Sequence, residues 1–140
     1  MNILVISTLP HYISIVPLYQ YYSVDSFIQS YIIIIGISTS FSITYHICNE
    51  SNILIASLDY YMAFVWFLYD LMAGFKANRF IRFFIVNSII FCINMSIPYN
   101  DTYSIIHSTW HILSALKCYY VSTLLADSIR ISKQEVPSIL

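Results

Sequence analysis

Short polar gaps divide the chain into apolar runs of about 20 residues, the length a helix needs to cross a bilayer at about 1.5 Å rise per residue. Lipid offers no hydrogen-bond partners, so a lone spanning segment must satisfy its backbone internally, as a helix does. The runs cover 3–22, 27–48, 53–74, 80–97 and 104–126, followed by a polar tail over 127–140. The expected fold is all-α: a polytopic membrane helix bundle of about five transmembrane helices, forming one domain over 1–140. Pro10 and Pro17 lie inside the first run and predict a kink there.

Composition agrees with a lipid environment. The chain is 59% hydrophobic and 9% charged, with a mean hydropathy of +0.72, whereas soluble domains carry about a quarter charged residues. A net charge of -1 gives no basic footprint for nucleic acid. Met1-Asn2-Ile3-Leu4 has no positive region and the first run ends without a small-residue cleavage site, so that run is expected to be a retained helix. Cys48, Cys92 and Cys118 are too widely spaced for a zinc ribbon or a redox pair and read as packing residues.

Basic residues set the orientation. Lys76, Arg79 and Arg82 lie between the third and fourth runs, and Arg130 and Lys133 follow the fifth. By the positive-inside rule both places are cytoplasmic, which puts the N-terminus outside and the C-terminus inside a plasma membrane or endomembrane. The outer loops carry Glu50 and Asp101 and two glycosylation sequons, Asn49-Glu50-Ser51 and Asn100-Asp101-Thr102, both close to the membrane.

Within this topology the polar residues fall into a layer. His107 and His111 are four apart, so they share a helix face, and so do Ser42 and His46. At about 1.5 Å per residue, His46 lies about 3 Å, His107 about 5 Å, Ser42 and Asp59 about 9 Å and His111 about 10 Å below the outer ends of their helices. Ionisable groups in a bilayer normally face the bundle interior, so these five side chains are expected to converge. Three imidazoles are the protein half of a catalytic zinc site whose fourth position holds water. Zinc brings the pKa of that water from 15.7 to about 7. Asp59 is then placed as general base, and Ser42 to hold the water or donate to an oxyanion. The bond attacked at this depth is an amide or ester near a lipid headgroup.

Ser42-Ile43-Thr44-Tyr45-His46, Asp59 and His107-Ser108-Thr109-Trp110-His111 resemble the Ser-x-x-x-His, Asp and His-x-x-x-His signature of the CREST superfamily of membrane hydrolases. That group includes alkaline ceramidases, adiponectin-receptor-like proteins and the transmembrane protein 8 branch with its GPI-directed phospholipase and myomaker. Phe41 to Cys48 and Tyr103 to Ala115 are most similar to the transmembrane protein 8 branch. The resemblance implies zinc on His46, His107 and His111, with Ser42 and Asp59 holding or activating its water. Family members have seven helices, so two are missing here, and with them much of the wall around an acyl chain. Dimerisation could replace that wall.

The remaining polar residues have structural readings. Asp70 and Lys117 could form a buried pair, or Lys117 could snorkel to the inner interface. His11, beside Pro10, reads as an interfacial side chain rather than a fourth ligand. Trp66 and Trp110 carry no further signal. Three functions follow: a zinc-dependent lipid amidase or esterase; a non-catalytic relative in which zinc staples helices for membrane remodelling, fusion or scaffolding; and a b-type haem protein with two axial histidines.

Overall fold

A computed structural model of the protein describes residues 2–97 and 101–134, and every element among them is helical. The first apolar run is broken rather than merely kinked. It forms α1 (Ile3–Thr8), α2 (Pro10–Ser14) and a 3-10 helix over Val16–Tyr21. Pro10 and Pro17 each stand at the start of a new piece, because proline supplies no N–H to the preceding turn and its ring clashes with the carbonyl four residues back. Four long helices follow: α3 (Ser26–Ile47), α4 (Ile53–Lys76), α5 (Phe80–Met95) and α6 (Tyr103–Gln134).

Their ends are fixed by local chemistry. Asp25 caps α3, its Oδ1 accepting from the N–H groups of Phe27 at 2.9 Å and Ile28 at 3.1 Å. Partial burial pushes the Asp25 carboxyl up, but the Ile28 N–H and the Lys76 ammonium outweigh it and hold the group below its ordinary range. Asn52 caps α4 in the same way. At the other end of α3, Asn49 (φ 51°) and Glu50 (φ 56°) turn left-handed. The Asn49 N–H meets the His46 carbonyl and the Glu50 N–H meets the Tyr45 carbonyl, the paired bonds of a Schellman ending. Asn78 (φ 52°) closes α4 likewise, with the Arg79 N–H on the Gly74 carbonyl.

Helix α6 runs 32 residues, about 48 Å. It continues through Asp127 and Arg130, where a polar tail was expected after Ala126. The helix does not stop because nothing in 127–134 breaks it: the first proline after Ala126 is Pro137. Three segments, Ile3–Tyr21, Ser26–Ile47 and Ile53–Lys76, are long and apolar enough to cross a membrane, and α5 is a shorter apolar helix. The outer surface suits lipid, with Ile53, Leu54, Phe75 and Ile81 all strongly exposed.

Helix α3 packs along α4, α4 along α5, and α6 against α1, α2, the 3-10 helix and α5. The two ends of this bundle differ. At one end Leu18, Ile28, Tyr31, Phe83, Val121 and Leu125 close a dry core. Toward the other end the buried side chains turn polar: Thr8, His11, Ser42, His46, His111 and Ser114. Cys118 packs in the interior as expected, but Cys92 is exposed and Cys48 half-buried, and all three thiols are free.

Candidate metal centre

His46, on the last turn of α3, is 1% exposed and meets the two histidines of α6. Its Nε2 lies 2.9 Å from Nε2 of His111. Ring centroids are 5.2 Å apart for His46 and His107, 5.1 Å for His46 and His111, and 4.7 Å for His107 and His111. One nitrogen from each ring lies within 4.8 Å of the other two, an arrangement that could hold a metal ion. Two imidazoles on a tetrahedral ion with bonds of 2.0–2.1 Å would set their nitrogens about 3.4 Å apart. The His46 and His111 rings therefore need part by only a few tenths of an ångström.

The donor set is compatible with an ion. His46 gives its Nδ1–H to the Glu50 carboxylate at 3.0 Å, which in the neutral ring leaves Nε2 as a bare lone pair. That lone pair faces His111 Nε2, so either His111 donates a proton to it or both nitrogens share a cation.

A cavity of about 410 Å³ opens beside the cluster. His107 and His111 border it, as do Ser42 and Asp59, while His46 stands behind them. Ser42 is buried and Asp59 half-buried. Neither belongs to the trio of nitrogens; both line the cavity that His107 and His111 border. Helix α5 supplies part of the cavity wall, through Asn87, Ile90 and Phe91.

His11 is not interfacial. It is 3% exposed, gives its Nδ1–H to the Thr8 carbonyl at 2.8 Å, and packs edge-on to Trp66 at 5.3 Å and His111 at 6.1 Å. The proline break folds α2 inward against α6, and this carries His11 into the cavity wall without joining it to the ligand trio. Lys117 also borders the cavity and pairs with Asp70 rather than snorkelling. Trp66 lies under its ammonium, and Trp110 donates to the Ile90 carbonyl at 3.0 Å. A b-type haem needs two imidazoles on opposite faces of its ring, and the His46–His111 pair, with Nε2 atoms 2.9 Å apart, is not set for that. Glu50 is a site residue that the sequence did not single out, although its i,i+4 relation to His46 was visible. The sequon at Asn49 sits in the left-handed helix ending, and Asn100 lies outside the described residues.

No family model, no curated protein and no solved structure matches the chain.

Proposed function

We propose that the protein is a zinc-dependent membrane hydrolase that cleaves a lipid amide or ester near the outer or lumenal leaflet. The observation that carries this reading is the meeting of His46, His107 and His111 at the edge of a cavity that Ser42 and Asp59 also line. Its volume falls within the range of small-molecule sites, about 300–1,000 Å³, and its lining is mostly apolar, as an acyl chain requires. The motif resemblance to the CREST superfamily supports the same assignment of roles.

Zinc held by the three imidazoles would supply Lewis acidity and an activated water. Asp59 takes the proton from the attacking water and returns it to the leaving amine or alcohol. Ser42 orients the water, or donates its hydroxyl to the oxygen that gains charge as the carbonyl is attacked. The aromatic wall, Phe64, Phe67 and Phe91, holds the acyl chain and keeps bulk water out. In this reading five helices cross the membrane, with the N-terminus outside. Lys76 and Arg79 then mark the cytoplasmic side together with Asp25, which pairs with Lys76 at 3.2 Å.

The test is metal content and lipid cleavage on the same detergent-purified protein. We expect about one zinc per chain, lost in His46→Ala and in His107→Ala, and cleavage lost in Asp59→Asn with zinc retained. Full cleavage in Asp59→Asn would remove the general-base role. Zinc retained with no cleavage of amide or ester lipids would leave the ion structural, in a protein of membrane remodelling, fusion or scaffolding.

A further inference from the structure

The Schellman ending of α3 does more than stop a helix. It places Glu50 one turn beyond His46 and folds its side chain back, so that Oε1 lies 3.0 Å from His46 Nδ1 with the carboxylate side chain only 15% exposed. The backbone at this point is doubly held. The left-handed conformations of Asn49 and Glu50 are unusual for residues other than glycine, and the Asn2 amide donates to the His46 carbonyl at 3.1 Å. Neither of the other two cluster histidines has such a partner among the described contacts. His107 is packed between Tyr103, at 5.1 Å and 28°, and Trp110, at 5.4 Å. His111 is flanked by Trp110 and His11.

A neutral imidazole that gives its one N–H to a carboxylate presents the other nitrogen as an acceptor, and the hydrogen bond fixes both tautomer and ring orientation. We propose that Glu50 is the positioning residue of the metal centre. It accepts the Nδ1–H of His46, turns Nε2 toward the ion, and raises the electron density on that nitrogen. This inference rests on the metal-centre reading and adds a residue to it.

Glu50→Gln keeps the size of the side chain but offers an amide in place of the carboxylate. The experiment is competition of the purified full-length protein with a chelator for Zn²⁺ alone, with Co²⁺ absorption spectra as a second readout and the thermal midpoint of the metal-free protein as a third. We expect Glu50→Gln and Glu50→Ala to bind zinc about 10–100-fold more weakly, the effect of losing such a partner. The Co²⁺ bands should shift in both variants, with the metal-free midpoint unchanged. Wild-type affinity and an unchanged Co²⁺ spectrum in both variants would overturn the assignment while leaving the metal centre intact. A loss of affinity matched by a lower metal-free midpoint in both variants would make Glu50 a helix-end contact, and overturn it too. Absence of zinc from the wild-type protein would instead remove the centre itself and the inference with it.

Discussion

Lys117 and Asp70 form an ion pair buried in the bundle. Asp70 is fully buried; its Oδ2 accepts from the Lys117 ammonium at 2.5 Å and its Oδ1 from the Tyr31 hydroxyl at 2.6 Å. The ammonium also donates to Asn87 at 3.0 Å and lies 4.5 Å from the Trp66 ring centroid. One network therefore ties α3, α4, α5 and α6 at mid-bundle. Removing one charge strands the other away from water, at a cost of about 3–5 kcal/mol, whereas an apolar pair of similar volume is often neutral. Lys117→Met alone should accordingly unfold at much lower denaturant, and the double variant Lys117→Met with Asp70→Leu should recover most of the loss. Equal instability in single and double variants would show that the hydrogen bonds to Tyr31 and Asn87, rather than the stranded charge, carry the effect.

At the scale of elements, close helix approach is tested at Gly74. A Cβ built there would stand 2.8 Å from Cδ2 and 3.0 Å from Cβ of Phe83, a buried ring at the start of α5. Gly74→Ala should force α4 and α5 apart and cost about 1–3 kcal/mol. At Gly36, where nothing lies within 4 Å, alanine should instead stabilise α3 by up to about 1 kcal/mol. Thermal midpoints that move the same way in both variants would refute this contrast. The long helices were readable in the sequence because apolar runs and their capping residues, Asp25 and Asn52, signal start and stop locally. The breakup of the first run was harder to read: two prolines permit a kink, and only packing against α6 decides that three separate pieces form. The same rearrangement explains His11, whose burial depends on where α2 folds and not on its neighbours in sequence. The meeting of His46, His107 and His111 followed from counting depth along antiparallel helices. Glu50 escaped that count because its place depends on two left-handed residues that no hydropathy pattern announces.

The whole molecule joins a dry end to a wet one. The buried side chains around Tyr31, Phe83 and Val121 are mostly apolar, whereas at the end bearing the cavity they are mostly polar. The histidines stand at this polar end, joining α3 to α6 across 65 residues of sequence. An ion bound only by the folded state stabilises it by mass action, about 2.7 kcal/mol at a free concentration 100-fold above its dissociation constant. Added zinc should thus raise the thermal midpoint of the wild-type protein and a chelator should reverse the rise. His46→Ala, which cuts α3 out of the site, should respond to neither. Asp59→Asn should keep the full zinc response, because that carboxylate borders the cavity without belonging to the ligand trio. A wild-type midpoint indifferent to zinc would mean that the polar end is held without an ion, by contacts such as the His46–His111 hydrogen bond, the Glu50 contact and the Asn2 bond to the His46 carbonyl. The cavity would then be a packing defect with polar walls, and no stabilising role would remain for an ion.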